Sequence, residues 1–529
     1  MTEPLLRITN LHIDYRTGRR HGTPAVRGAG LHVAEGEFVS LVGESGSGKT
    51  TLVQGALGLL PPAARRTGGS IAYSGVDVTG WNDKRMARVR GNYVGFIPQD
   101  PNTSLNPVRR VGHQVIEAVR FNEPARRTAA EHREAALDSL RTAGLPDAER
   151  VFHQYPHELS GGMKQRALIA IALAGRPRII VADEPTSALD VTVQKVILDH
   201  LVSLRERLGI GILLVTHDLG VAVERSDRIL VMRAGEIVEQ GPVEHIVRHA
   251  SDDYTRRLLA ASPARLEPLI SREPSGTVVL RARALTKTYR RVRALVAADL
   301  VVREGSTHAI VGESGAGKST LAGILAGFTT ADGGTVHLGD TELTGPRRRE
   351  SRRRESRRDL QFVFQNPYTS LDPRFTVRRI IEEPLRAFGV LTPGRVSELL
   401  AAVALDDSYL SRLPGQLSGG QRQRVAIARA IALNPRILVL DEAVSALDVS
   451  VQAQILRLLV DLQERFGLSY VFVTHDLGVV RLIADDVTVM KDGAVVESGP
   501  VAAVFRDPRH DYTRRLLEAI PGREVRSTP

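Results

Sequence analysis

Cysteine is absent from all 529 residues. With it go disulfides, thiolate metal sites, iron–sulfur clusters and cysteine nucleophiles. Long hydrophobic runs are missing too. The longest uncharged apolar stretches, ALIAIALAG (Ala167–Gly175) and IGILLVTH (Ile210–His217), are far shorter than the roughly eighteen residues a membrane-spanning helix needs. The opening MTEPLLRITN has no basic cluster followed by an apolar stretch, so no secretory signal is expected and the cytoplasm is the expected compartment. Acidic residues are outnumbered, 60 against 71 basic, which leaves a net charge of +11 and a pI near 10.1. That balance fits solvated basic faces, and equally fits a partner made of anionic lipid headgroups or nucleic acid. The densest basic cluster, RRRESRRRESRRD (Arg347–Asp359), interleaves Glu and Ser and reads as a helical surface that could lie toward anionic headgroups.

What is present is ordinary in composition, 42% hydrophobic and 25% charged, and too long for one core. It is also duplicated. GESGSGKT (Gly43–Thr50) and GESGAGKS (Gly312–Ser319) are each followed by LSGG, an aliphatic run ending in Asp-Glu, SALD and THD, in that order. Ser160 and Ser418, Asp183 and Asp441, and His217 and His475 are all 258 residues apart, the mark of an internal repeat. One copy opens with the alternating strand LRITNLHIDY (Leu6–Tyr15), the other with LRARALTKTY (Leu280–Tyr289). Between them SPARLEPLISREPSGT (Ser262–Thr277) is rich in Pro, Ser and charge and lacks a period, so it reads as a short linker. The expected organisation is a domain over 1–262, a linker over 263–277 and a second domain over 278–529.

Within each copy a strand runs into a Gly-rich turn and then a helix, with later aliphatic strands such as IIVADE (Ile179–Glu184) and ILVLDE (Ile437–Glu442). Near-continuous aliphatic runs suit strands buried on both faces, so an α/β core with a mostly parallel sheet is expected. Segments such as Arg127–Gly144 predict a separate helical subdomain. The Gly-rich loops need glycine so that backbone N–H groups can wrap phosphates at a helix N-terminus. The candidate phosphate-holding residues are Gly43, Glu44, Ser45, Gly46, Ser47, Gly48, Lys49, Thr50 and Thr51 in one copy. The other copy offers Gly312, Glu313, Ser314, Gly315, Ala316, Gly317, Lys318, Ser319 and Thr320. Lys49 and Lys318 place a cation on the β/γ oxygens of ATP, and Thr50 and Ser319 offer a hydroxyl to Mg²⁺. Asp183 and Asp441 suit Mg²⁺ coordination through water. Glu184 and Glu442 are placed to activate an attacking water, and His217 and His475 to sense the γ-phosphate.

LSGGMKQR (Leu159–Arg166), LSGGQRQR (Leu417–Arg424), ADEPTSALD (Ala182–Asp190) and LDEAVSALD (Leu440–Asp448) resemble the signature, Walker B and D-loop motifs of ABC ATPases. The resemblance covers nearly the whole chain, in two copies. It implies two tandem P-loop ATPase domains of the α/β class, each a mostly parallel sheet core with an antiparallel β subdomain and a helical subdomain. By position it implies that Tyr15 and Tyr289 stack on adenine, and that Gln99 and Gln365 link Mg²⁺ and the water to a transporter contact. Asp190 and Asp448 lie at the interface between units. The resemblance further implies head-to-tail pairing. The site of Lys49 would be completed by Ser418, Gly419 and Gly420, and that of Lys318 by Ser160, Gly161 and Gly162.

QDPNTSLNP (Gln99–Pro107), QNPYTSLDP (Gln365–Pro373), the SALDVTVQ and SALDVSVQ continuations, and the unit ends DYTRRLL (Asp253–Leu259, Asp511–Leu517) are similar to the peptide/nickel importer group of these ATPases. The two ATPases of that group, often separate chains, are here fused. Members often carry a Cys-rich C-terminal extension, sometimes holding an iron–sulfur cluster; with no cysteine, neither unit of this chain is expected to hold one. The importer resemblance implies two membrane permease subunits, an extracytoplasmic solute-binding protein, and a place on the cytoplasmic face of the membrane. Dipeptides or oligopeptides are the first expectation for the solute, with nickel or metallophore complexes, glutathione and antibiotic-like peptides also open. The competing class, a ribosome- or nucleic-acid-acting tandem ATPase, typically has a long, charged, helical linker or zinc-binding cysteines, and this chain has neither. No nucleic-acid partner is expected.

Overall fold

The computed structural model describes residues 3–16, 22–122, 128–187, 189–261, 266–270, 276–344, 350–445 and 447–521. Its chain falls into two compact units, one holding Met1–Leu189 and Val193–Ser262 and the other Pro263–Ile520. Of the segment read as a linker, only 266–270 and 276–277 are among the described residues.

In the first unit a six-stranded sheet runs in the order Glu236–Pro242, Arg228–Arg233, Phe38–Val42, Gly211–Thr216, Ile179–Asp183, Val94–Ile97. Every neighbouring pair is parallel except the first, which is an antiparallel hairpin. Every residue of Phe38–Val42, Ile179–Asp183 and Gly211–Thr216 is buried, which is why these strands read as unbroken aliphatic runs. The strands also end level, with Val42 opposite Thr216, Asp183 opposite Val215 and Ile97 opposite Ala182. The residues that follow, Gly43, His217, Glu184 and Gln99, therefore leave the sheet along one carboxyl edge, where ligands of open α/β sheets bind.

A second, antiparallel sheet is ordered Gly22–Val33, Leu6–Arg16, Ala64–Tyr73, Val76–Asp77. The expected simple alternation along Leu6–Tyr15 is broken. Leu6, Ile8, Leu11 and Ile13 all face the core, and the switch from even to odd positions is made by irregularities between Ile8 and Ile13 and by Asn10 at φ 48°, as a β-bulge requires. Four helices, Val111–Asn122, Ala129–Thr142, Ala148–His153 and Gly161–Leu173, form the helical subdomain around Val115, Leu137, Leu140, Val151 and Ile169. The helix expected within Arg127–Gly144 starts at a capping box. Thr128 Oγ1 accepts from the Glu131 amide, and the Glu131 carboxylate accepts from the Thr128 amide at 2.6 Å.

The second unit repeats the plan. Its six-stranded sheet is ordered Leu360–Val363, Ile437–Asp441, Ser469–Thr474, Thr307–Val311, Asp486–Lys491, Ala494–Pro500. Its antiparallel sheet contains Val278–Tyr289 between Val292–Arg303 and Gly333–Leu338, with Thr341–Glu342 at the edge. The basic cluster is helical over Glu350–Asp359, whereas 345–349 lie outside the described residues, so the expected placement of Arg347–Asp359 toward headgroups falls partly on them. Among the described residues no helix is long and apolar enough to cross a membrane.

Candidate functional site

The strand Phe38–Val42 delivers the chain into a turn that only glycine permits at its first position. A Cβ at Gly43 would collide with the Met232 carbonyl oxygen, and one at Gly312 with that of Met490. The turn ends on Gly48 at φ 104° and Gly317 at φ 97°, each the N-cap of the next helix, a conformation that costs side chains dearly. Neither helix, Lys49–Leu57 or Lys318–Leu325, receives a side-chain cap, and neither has an acid in its first turn. Their leading N–H groups and dipoles are thus left for an anion. Lys49 Nζ donates to the carbonyls of Gly43 (2.7 Å) and Glu44 (2.8 Å), and Lys318 Nζ to those of Gly312 (2.8 Å) and Glu313 (2.9 Å). Among the described residues the buried Ser47 hydroxyl has no hydrogen-bond partner. An uncapped helix start, a buried lysine and an orphaned hydroxyl together fit a phosphate chain.

On the neighbouring strand ends two carboxylates divide the work. Asp183 Oδ1 accepts from Thr50 Oγ1 at 3.2 Å, and Asp441 Oδ1 from Ser319 Oγ at 3.3 Å. Burial, assisted by the adjoining Glu184, raises the Asp183 carboxyl to about 6, and burial raises Asp441 in the same direction. A cation at this spot would relieve both. The donors are hard oxygens, and among the described residues no cluster of three or more His, Cys, Asp or Glu could hold a metal alone. That fits Mg²⁺, which is usually held by one or two protein oxygens plus water and phosphate.

Glu184 and Glu442 sit at φ 44° and 46°, in the left-handed region that costs a non-glycine residue energy and that clusters at functional sites. The turn aims each carboxylate at two partners. Gln99 Nε2 donates to Glu184 Oε2 at 2.9 Å, and His217 Nδ1 lies 3.3 Å from the same oxygen. Gln365 Nε2 donates to Glu442 Oε2 at 2.7 Å, with His475 Nδ1 3.4 Å from Oε1. Burial works against charge on each carboxylate, but the hydrogen bond and charge of the histidine outweigh it, aided by Lys49 or Lys318 and the glutamine. Glu184 and Glu442 therefore stay below the usual glutamate range. Burial likewise opposes the imidazolium, yet the glutamate holds His217 and His475 above the usual histidine value. The structure thus joins Gln, Glu and His in each unit into one hydrogen-bonded group that favours an ionised carboxylate.

The remaining candidates have other partners. Ser160 and Ser418 are N-caps, accepting from the Met163 and Gln421 amides. Gln421 also returns the bond, its Oε1 accepting from the Ser418 amide at 2.9 Å, which Met163 lacks the oxygen to do. The signature glycines are fixed by packing, because a Cβ at Gly162 would lie 2.6 Å from Val193 and one at Gly420 2.5 Å from Val451. Gly161 and Gly419 are looser, with the nearest atoms those of Leu189 (3.1 Å) and Leu447 (3.6 Å). Tyr15 Oη is 3.4 Å from Thr51 Oγ1, and Tyr289 is half exposed beside Lys287 Nζ at 5.5 Å. Asp448 caps the helix Val449–Phe466 through the Val451 amide. Asp218 and Asp476, the last residues of THD, cap the helices that follow. One participant in each unit was missed from sequence. The Glu44 amide donates to the hydroxyl of Tyr254, 210 residues away, and the Glu313 amide to that of Tyr512.

Known proteins place these features together. The ABC transporter family profile matches residues 26–187 and 295–445, and the profile for the oligopeptide/dipeptide transporter C-terminal region matches 496–528. The chain is 41% identical to the oligopeptide transport ATP-binding protein OppD of Mycobacterium tuberculosis, over 98% of both chains. It is 40% identical to the glutathione import ATP-binding protein GsiA of Escherichia coli K12, over 98% of this chain and 89% of that one. The solved complex of an archaeal ribosomal stalk protein with the ribosome recycling factor aABCE1 shares the fold, with a TM-score of 0.64 at 23% identity, covering 93% of this chain and 91% of that one. The chain belongs to the ABC transporter family, within the branch marked by the oligopeptide/dipeptide transporter C-terminal region, and carries two ATP-hydrolysing domains in one ATP-binding subunit.

Proposed function

We propose that this chain is the ATPase of a peptide importer, its two units working as a head-to-tail pair that closes on ATP and opens after hydrolysis. The observation that carries the reading is the duplicated Gln–Glu–His group, complete beside both phosphate loops, in a chain that aligns end to end with importer ATP-binding subunits. Lys49 and Lys318 bind the β- and γ-phosphates, leaving the loop carbonyls that hold them. Tyr15 and Tyr289 stack on the adenine. Thr50 with Asp183, and Ser319 with Asp441, would hold Mg²⁺ through their oxygens, with Gln99 and Gln365 as further ligands; so held, it would supply positive charge to offset that of the phosphates. Glu184 and Glu442, kept ionised, accept the proton of the attacking water. His217 and His475 orient those carboxylates and donate toward the γ-phosphate.

In this reading Ser418, Gly419 and Gly420 complete the site of Lys49, and Ser160, Gly161 and Gly162 that of Lys318, so ATP joins the units and its cleavage removes the bridge. Asp190 and Asp448 flank the join. The domains are 1–262 and 278–529, with 263–277 linking them. Two permease subunits supply the membrane path and dock near Gln99 and Gln365, while an extracytoplasmic binding protein delivers the solute, so the chain works at the cytoplasmic face of the membrane. Dipeptides or oligopeptides are the proposed cargo. The test is reconstitution of the whole complex in lipid discs, with ATP turnover read as binding proteins loaded with peptide, glutathione or nickel complex are added in turn. Stimulation by the peptide-loaded form is expected. Stimulation by one of the others alone would reassign the solute.

A further inference from the structure

The phosphate loop is confined at its start by two neighbours. The carbonyl of Met232 is close enough to exclude any side chain at Gly43. The hydroxyl of Tyr254 accepts from the Glu44 amide at 2.9 Å. The same short stretch supplies the two carbonyls that hold Lys49 Nζ. Its amide is tied to the helix Asp253–Ala261 while its carbonyls are tied to the phosphate-binding lysine.

Tyr254 is itself built into place. It is 4% exposed, and the Arg233 guanidinium lies 5.3 Å over its ring. The start of its helix is seated by the buried carboxylate of Glu239, which accepts from the Ser251 amide (2.7 Å) and hydroxyl (3.0 Å) and from the Asp252 amide (3.4 Å). The same parts recur in the second unit, the tyrosine, cation and carboxylate 258 residues later and the loop glutamate 269 residues later. Tyr512, 3% exposed, accepts from the Glu313 amide at 2.9 Å. Lys491 Nζ lies 5.4 Å over its ring, and Glu497 accepts from the Arg509 (2.9 Å) and His510 (3.2 Å) amides. Burial pushes the Tyr512 hydroxyl up to about 12, so it stays protonated. The match to the C-terminal transporter region reaches only residues 496–528, yet the first unit carries the same device over Glu239–Tyr254.

We infer that Tyr254 and Tyr512 are positioning residues for ATP, holding the first peptide of each phosphate loop in the orientation that phosphate binding uses. The inference rests on the reading of Gly43–Thr50 and Gly312–Ser319 as phosphate loops. A loop freed from its tyrosine has more conformations to lose when ATP binds, so affinity falls, whereas bound ATP restores the order and turnover at saturation holds.

The test uses the full chain. Hydrogen–deuterium exchange of the nucleotide-free wild type must show the peptides bearing the Glu44 and Glu313 amides protected; unprotected exchange there overturns the inference without any variant. Tyr254→Phe keeps the ring and removes the hydroxyl that accepts from Glu44. It is expected to speed exchange over 43–49 and leave 312–318 unchanged, and Tyr512→Phe to do the reverse. Faster exchange spread through the whole unit indicates a merely structural role and overturns it. In the double Phe variant the KM for ATP is expected to rise about five-fold, the effect of one lost hydrogen bond, with kcat within about two-fold. A fall in kcat at unchanged KM counts against the inference. Wild type that binds no ATP would sink the phosphate-loop reading, and leaves the exchange result to decide the buttress by itself.

Discussion

The two units differ in one buried position whose consequence is measurable. His308 on the strand Thr307–Val311 is 4% exposed; the corresponding strand of the first unit, Phe38–Val42, is FVSLV and holds no titratable group. His308 Nε2 pairs with Thr488 Oγ1 at 2.8 Å. Burial is the main cause that drives its pKa from 6.5 to about 4; nearby Arg303 adds to this and Asp486 opposes it. In the unfolded chain the imidazole titrates near its ordinary value, so below that value the unfolded state binds the extra proton first. The neutral ring thus contributes stability that is full above about pH 6.5 and is lost as pH falls toward 4. At about 1.4 kcal/mol per pH unit of difference, the loss totals about 3 kcal/mol, of which about 2 kcal/mol is gone at pH 5. The perturbation is His308→Val, which removes the titration and keeps an apolar side chain. Urea unfolding of wild type and variant, followed by exchange of the 307–311 peptide at pH 8 and pH 5, isolates the term. Wild type should lose about 2 kcal/mol against the variant between those conditions. A wild-type-to-variant difference that is the same at both pH values refutes the reasoning.

Other expectations are briefer. Glu184→Gln and Glu442→Gln should each cut ATP turnover by at least about half, and the pair by about a hundred-fold or more, the usual loss for a general base; a rate untouched by one change shows that site to be idle. If the sites are crossed, Lys49→Ala and Ser418→Arg act on one site. Their double variant should be no slower than the worse single, while Lys49→Ala with Ser160→Arg should lose both sites; additive losses in the first pair contradict crossing. Gly43→Ala should abolish ATP binding at its site in an equilibrium titration, because its Cβ meets the backbone carbonyl of Met232, which has no flexible end to yield. Retained affinity would mean the loop opens by another route.

Much of this architecture is legible in the sequence, for definable reasons. Strands buried on both faces announce themselves as aliphatic runs, and the loop glycines, the strand-end Asp-Glu pair and THD all sit directly after such runs. Knowing where the parallel strands end is thus nearly knowing where the site is. What escapes is set by distance in the chain or by backbone geometry. The Tyr254 bond to the Glu44 amide joins residues 210 apart, and the DYTRRLL pattern says nothing of where its ring points. The bulge at Asn10 shifts the register of a strand whose pattern looks regular. The left-handed backbone at Glu184 and Glu442 has no signal, since nothing in the sequence replaces glutamate there. Asp218 and Asp476 could have been found, because an Asp directly before a helical stretch is a cap signal.

The duplication also separates what the chemistry fixes from what it leaves free. Between the units, the hydrogen bonds from glutamine to glutamate are 2.9 and 2.7 Å, and the histidine approaches are 3.3 and 3.4 Å. The lysine and tyrosine anchors also agree within about 0.1 Å. Away from the phosphates the units diverge. One signature helix has a reciprocal cap through Gln421 where the other has Met163. Beside Gln365 the rings of Phe328, Phe362 and Phe364 cluster with centroids 4.7 to 5.7 Å apart, whereas the residue before Gln99 is Pro98. Identical chemistry set in unlike surroundings is what a pair of ATPase units needs if both hydrolyse but each must meet a different neighbour. Exchanging Phe364 for proline should therefore leave basal ATP turnover of the isolated chain intact while changing its stimulation in the assembled complex; equal effects on both would place the aromatic cluster in the folding of the unit rather than in its contacts.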